Sequence, residues 1–289
     1  MAELLKGIEV ANGLKQRLAD KNNELIGKGV VPCLAIVRVG ERPDDLAYER
    51  GALKRFEGLG IQVKVVALPE IIAQDAFERE FSEINADSSV HGILLFRPLP
   101  KSLDEEPVKK LIDPDKDVDC MCTVNIAKVF MGDDSGYAPC TPRGVIELLK
   151  HYEIPLAGRR VALIGRSMVV GKPLAMLLLK ENATVTICHS KTAGLPVECG
   201  RADIVIAAAG AAGMVTKDFV KPGAVVIDVG INDDGAGGIC GDVAFEEVEP
   251  VAAAITPVPG GVGSVTTSVL AMHTLQAAEK ALSRACAAG

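Results

Sequence analysis

Short, nearly unbroken apolar runs recur along this chain, and helix-like stretches separate them. Residues 31–39 (VPCLAIVRV), 61–67 (IQVKVVA) and 91–96 (HGILLF) form one such series. Residues 160–165, 183–188, 203–208 and 224–229 form a second. A strand apolar on both faces is covered on both faces, and strands alternating with helices pair in parallel. Helices are predicted at 8–28, 43–59, 70–86, 172–182 and 265–285. The second of these opens on Pro43-Asp44-Asp45, and a first turn accommodates both proline and negative charge. Pro98 and Pro100 end the run at 91–96. The expected fold is α/β, with two domains and a parallel sheet in the second.

A length of 289 residues exceeds one small core and suits two ordinary domains. The Pro/Asp-rich passage Asp113–Asp119 marks the exit from the first, and the stretch from there to about 140 reads as linker and loop. The domains are expected at 1–120 plus 268–289 and at 121–267, with the last helix packing back on the first domain.

Charge and composition exclude several classes. The net charge is −7, Trp is absent and aromatics are 3%. A duplex binder needs a basic patch and a single-strand binder needs stacking platforms, so no nucleic-acid partner is expected. No run approaches the length of a membrane span, and the N-terminus has no secretory apolar core. The eight cysteines are dispersed. Cys120 and Cys122 are the only close pair and lack a second cluster at zinc-ligand spacing, so no metal is expected. A cytoplasmic protein with reduced thiols is the simplest reading.

The sharpest local motif is Gly165-Arg166-Ser167-Met168-Val169-Val170-Gly171-Lys172-Pro173. It follows an apolar strand and opens a helix. In that position a loop aims backbone N–H groups and a helix N-terminus at phosphate. Gly165 permits the tight turn, and Gly171 permits close approach of backbone or ligand. The spacing differs from the usual dinucleotide fingerprint, so a plain strand-to-helix turn remains open. The next strand ends Cys188-His189-Ser190-Lys191, without the acid that NAD sites place there for the ribose 2′-hydroxyl. Arg166 and Ser190, with Lys191, suit a 2′-phosphate instead, which favours NADP. His189 is read as structural. Asp228 closes an apolar strand, at a ligand edge or as a loop carboxylate.

These residues resemble a known family. The loop 165–173, His189-Ser190-Lys191-Thr192, residues 221–232 (KPGAVVIDVGIN), Gly241-Asp242-Val243, and Thr256-Pro257-Val258-Pro259-Gly260-Gly261-Val262-Gly263 are similar to motifs of the bifunctional methylenetetrahydrofolate dehydrogenase/cyclohydrolase family. So are Pro139-Cys140-Thr141-Pro142 and Lys116-Asp117-Val118-Asp119. The resemblance implies an N-terminal substrate domain, a C-terminal Rossmann-like NADP domain, a cleft between them and a homodimer. It implies oxidation of methylenetetrahydrofolate with NADP. It assigns the cofactor to Gly165, Arg166, Ser167, Gly171, Ser190 and Ile231, and the folate to Tyr48, Asp119, Pro259, Gly260 and Gly261.

The substrate half departs from the family's pattern. Tyr48 matches the tyrosine that packs on the folate's aromatic middle, and Asp119 matches the carboxylate that accepts from the pterin's paired donors. The family's lysine position is Ala52 and its glutamine position is Phe96. Asp45, Cys120-Met121 and Ser264 stand where the family usually has Ser, Gly and an aromatic, and Pro. Hydride transfer depends on positioning, whereas hydrolysis needs a proton-relaying group. Lys54 lies about 200° around the helix from Ala52, and Arg97 stays protonated; neither replaces the lysine. The expectation is a dehydrogenase with cyclohydrolase activity lost or very weak. The alternatives are a dehydrogenase for another one-carbon carrier and a catalytically idle NADP-binding regulatory paralogue. Retention of Tyr48 and Asp119 speaks against the idle form.

Overall fold

A computed structural model describes residues 1–288. In chain order the first elements are β1 (Glu3–Leu4), α1 (Gly7–Gly27), β2 (Cys33–Val39), α2 (Pro43–Glu57), β3 (Gln62–Leu68), α3 (Gln74–Ala86), β4 (Gly92–Leu95), α4 (Glu106–Leu111) and α5 (Thr123–Met131). Then follow α6 (Cys140–His151), β5 (Arg160–Ile164), α7 (Gly171–Lys180), β6 (Thr184–Cys188), α8 (Leu195–Cys199), β7 (Ile204–Ala207) and β8 (Val225–Asp228). The chain closes with β9 (Asn232–Asp233), β10 (Ile239–Cys240), α9 (Phe245–Val248), β11 (Ala254–Ile255) and α10 (Gly263–Ala288). No described helix is long and apolar enough to cross a membrane.

The chain divides into two compact units. One comprises Leu14–Ala138 with Thr267–Gly289, the other Met1–Gly13 with Pro139–Thr266. The first of these units, called the substrate unit after the expectation from the sequence, holds a parallel sheet in the order β3-β2-β4. Its central strand is apolar on both faces and buried throughout except at Arg38. Phe77, Phe81 and Ile84 of α3 pack into the same core as Val37, Ile93 and Leu95. Helix α2 starts on Pro43 as the sequence predicts and sinks Ala52 and Phe56.

The second unit holds a six-stranded parallel sheet in the order β1-β11-β8-β7-β5-β6. From β5 the chain goes outward to β6, then returns across β5 to β7. The strand order therefore reverses at β5 and β7, and open α/β sheets bind ligands beyond the carboxyl ends of strands at that switch point. Strand β6 is one edge of the sheet and is largely exposed until Cys188, whereas β7 is wholly buried.

Several expectations are corrected. The third helix starts at Gln74, not 70, because Ala73 is extended. The stretch to 140 is not merely linker: α5 lies in it, and α4 and α6, which the apolar runs did not signal, flank it. Residues 121–138 go with the substrate unit, because the Asn125 amide donates to the Pro114 and Asp117 carbonyls at 2.9 and 3.2 Å. Residues 1–13 go with the other unit, because β1 extends its sheet alongside β11. Strands β1 and β11 are two residues each, too short for a periodicity to register. The last helix, from Thr267 on, falls in the unit of Leu14–Ala138.

Candidate active site

At the switch point, β5 delivers the chain into the glycine loop. Gly165 has φ +136°, and a Cβ there would fall 2.2 Å from the Ala208 carbonyl oxygen at the end of β7. A Cβ on Gly171 would fall 2.3 Å from the Gly165 carbonyl oxygen. The close approach that the sequence left open at Gly171 is thus backbone on backbone. Only glycine lets the turn fold against itself and β7. Ser167 ties the loop: its hydroxyl accepts from the Val170 and Gly171 N–H groups at 3.0 and 3.4 Å, and its carbonyl accepts from Lys172 at 3.0 Å.

That bracing leaves the N–H groups of Arg166, Ser167, Met168 and Val169 without partners among the described residues. These donors suit a ligand's phosphate oxygens. The Arg166 side chain is exposed beside them, and Ser190 and Lys191 are exposed at the end of β6. His189 is structural: its Nδ1 accepts from the Lys191 N–H at 3.1 Å and its own N–H donates to the Thr192 hydroxyl at 2.9 Å. Ile231, 67% exposed, offers an apolar surface in the loop after β8.

Two buried aspartates organise the neighbouring loops. Asp228 accepts from the Gly230, Asp242 and Val243 N–H groups at 2.9–3.0 Å. Burial pushes its carboxyl up to about 6, against the pull of those donors and with the Asp242 carboxylate adding to the rise. Asp242, fully buried, accepts from the Ala209, Gly210 and Ala211 N–H groups at 2.6, 3.0 and 2.8 Å and from the Asn232 amide at 2.9 Å. Sequence reading noticed Asp228 and missed the part Asp242 plays, because no local pattern tells a buried loop acceptor from a surface carboxylate. Pro259, Gly260 and Gly261 lie in this same unit. The Val258–Pro259 bond is cis, and the Gly260 carbonyl accepts from the Gly7 N–H, at the start of α1, at 2.8 Å.

In the substrate unit, Tyr48 on α2 and Phe96 at the end of β4 meet edge to face, ring centroids 5.7 Å apart. Ala52 is 0% exposed and Phe96 8%, while Tyr48, Arg55, Arg97 and Asp119 are half-buried. Lys54 is exposed on another face of α2. The loop bearing Asp119 is fixed by its buried neighbour Asp117. That carboxylate accepts from the Met121 and Cys122 N–H groups at 2.8 and 3.0 Å and from the Asn125 amide at 3.0 Å. The sequence could not tell which aspartate of Lys-Asp-Val-Asp turns inward. Cys120, where the resembling family usually has Gly, is left-handed with φ +59°, a conformation that costs a non-glycine residue about 1–2 kcal/mol.

A parallel sheet with a glycine loop at its switch point, in a chain that also holds a second compact α/β unit, defines a two-unit protein of the dinucleotide-binding class. Family models match both parts: the tetrahydrofolate dehydrogenase/cyclohydrolase catalytic domain over residues 5–119, and the NAD(P)-binding domain of the same family over 139–282. The chain belongs to the tetrahydrofolate dehydrogenase/cyclohydrolase family. It is 55% identical to the bifunctional protein FolD of Carboxydothermus hydrogenoformans over 281 residues, covering 96% of this chain and 98% of that one. Among solved structures it superposes on the bifunctional FolD enzyme of Campylobacter jejuni with a TM-score of 0.94 at 41% identity, covering 97% of this chain and 99% of that one. The Trypanosoma brucei dehydrogenase-cyclohydrolase, solved with NADP and an inhibitor, matches with a TM-score of 0.91 at 35% identity, covering 96% and 98%.

Proposed function

We propose that this protein is an NADP-dependent methylenetetrahydrofolate dehydrogenase whose cyclohydrolase activity is absent or severely reduced. The observation that carries the second half is the chemistry of positions 52 and 96. At the family's lysine position the side chain is a fully buried methyl, and at its glutamine position a phenyl ring packs on Tyr48. Neither can donate or accept a proton. Water attack on a methenyl carbon requires proton movement, and without a positioned group the rate loses about 10²–10⁴-fold. The relatives named above are called bifunctional; the proposal departs from them on these two residues.

The dehydrogenase half of the site retains what its chemistry needs. When bound, NADP accepts the hydride from the folate's methylene carbon. Tyr48 offers a ring face to the substrate's aromatic middle, and Asp119 accepts from the paired donors of the pterin. The loop Gly165–Gly171 would hold the cofactor's phosphates on the N–H groups of Arg166 to Val169. Ile231 would offer its exposed side chain to the cofactor. No group has to take up a proton for the hydride to leave, because the folate nitrogens delocalise the charge that develops. In this reading the protein works as a homodimer in the cytoplasm.

The test follows NADPH and methenyltetrahydrofolate separately with purified protein, methylenetetrahydrofolate and NADP. NADPH formation with accumulating methenyl product is expected. Hydrolysis well above the spontaneous rate overturns the loss of the second activity; NADP binding without turnover overturns the dehydrogenase. Cofactor choice rests on Arg166, Ser190 and the missing acid. Arg166→Ala is expected to raise KM for NADP about 10- to 100-fold, the worth of one charged hydrogen bond, and to leave KM for NAD nearly unchanged. An equal effect on both would remove Arg166 from 2′-phosphate recognition.

A further inference from the structure

We propose that Arg55 anchors a carbonyl or carboxylate oxygen of the substrate, as a specificity-determining contact one turn beyond Ala52 on α2. The inference rests on reading the Tyr48–Phe96 pocket as the folate site. Arg55 follows Tyr48 by seven residues and Ala52 by three. It therefore lies about 20° from the first and about 60° from the second around the helix. That flank faces the end of β4, because Tyr48 meets Phe96 there. Helical side chains lean toward the helix N-terminus, so a long side chain at 55 covers the turn that holds Ala52. Ala52 itself presents only an enclosed methyl, with no polar group of its own.

Arg55 is also a cation without an ion-pair or hydrogen-bond partner among the described residues. It is half-buried, and burial pulls its guanidinium below the ordinary arginine range. No carboxylate or carbonyl pairs with it among the described residues. Arg38, in the strand beside α2, shows the usual arrangement: its guanidinium bonds Glu49 at 3.0 Å and the Gly40 carbonyl at 2.7 Å. None of the Arg55 nitrogens is among the fully buried unpartnered atoms, so its donors remain reachable. A half-desolvated guanidinium gains most from an oxygen that can take its forked N–H groups. A folate carries two such groups, the pterin carbonyl and the glutamate carboxylates. Arg55 so returns a positive donor to a wall that has lost its lysine. Being permanently protonated, it binds without relaying protons.

Steady-state kinetics of Arg55→Ala and Arg55→Lys test this. Arg55→Ala is expected to raise KM for methylenetetrahydrofolate about 10- to 100-fold, with kcat and KM for NADP within about twofold and Tm unchanged. Arg55→Lys should recover part of the loss. Repeating the comparison on a pteroate substrate without glutamate locates the oxygen. An effect that persists places it on the pterin; one that vanishes places it on the tail; both support the contact. An unchanged folate KM in Arg55→Ala, with the parent active, overturns it. Should the parent not turn over, calorimetric binding of tetrahydrofolate decides: weaker binding by Arg55→Ala supports the contact, equal binding overturns it, and no binding by the parent overturns the pocket's assignment as well.

Discussion

The double variant Ala52→Lys with Phe96→Gln is expected to hydrolyse methenyltetrahydrofolate about 10²- to 10⁴-fold faster than the parent, the usual worth of a positioned acid–base group. The two changes need each other. Ala52 is fully enclosed, and Phe96 lies edge-on to Tyr48 at 5.7 Å. A lysine at 52 alone would press four methylenes into a filled wall, at an overpacking cost of about 1–3 kcal/mol. Its ammonium would also meet a phenyl ring rather than a polar partner. Replacing the ring with an amide opens the exit and supplies an acceptor for the ammonium. The apolar surroundings that remain would pull the lysine's pKa down toward neutrality, where it can both give and take a proton. Each single variant should therefore stay near the spontaneous rate. The measurement is the decay of methenyl absorbance, with dehydrogenase turnover of the same preparation as the folding control. A double variant that still oxidises methylenetetrahydrofolate yet hydrolyses no faster than the parent would place the missing activity elsewhere in the pocket.

Asp242→Ala should be the most damaging single change in the cofactor unit, costing about 3–5 kcal/mol of stability. Its carboxylate takes three successive backbone N–H groups after β7 and the Asn232 amide, with no access to water. An alanine leaves four donors facing a void, and a buried unpaired donor keeps its full desolvation penalty. Asp242→Asn should cost less, since one oxygen survives, but its NH₂ would point at donors. The loss should reach the cofactor as well. The loop that Asp242 holds follows Ala208, whose carbonyl packs on Gly165. Denaturant midpoints for both variants, with NADP titrations below the transition, measure the two effects. Parent-like stability of Asp242→Ala would show that water replaces the carboxylate.

Much of this is legible in the amino-acid sequence. The βαβ alternation, both sheets' long strands and the helix starting at Pro43 follow from the period and apolarity of short segments, which are local properties. Gly165 and Gly171 could be singled out because a turn between a buried strand and a helix has few backbone solutions. The two substitutions at 52 and 96 were visible as residue types. What the sequence could not give was every feature that depends on partners distant along the chain. Residues 1–13 join the second sheet through two-residue strands whose only signal is the strand they meet. Residues 121–138 join the substrate unit through the Asp117 carboxylate, the Asn125 amide and the Tyr137 ring packed on His273, all partners distant along the chain or hidden in a loop. Asp117 turns inward and Asp119 does not, though both sit in one short acidic run. Arg55 reads as an ordinary surface arginine until its burial and its lack of a carboxylate are seen together. Residue identity determined which chemistry this chain can and cannot perform at 52 and 96. Tertiary structure alone decided which polar groups are satisfied and which are left for a ligand, because that depends on what the rest of the chain places within hydrogen-bond reach.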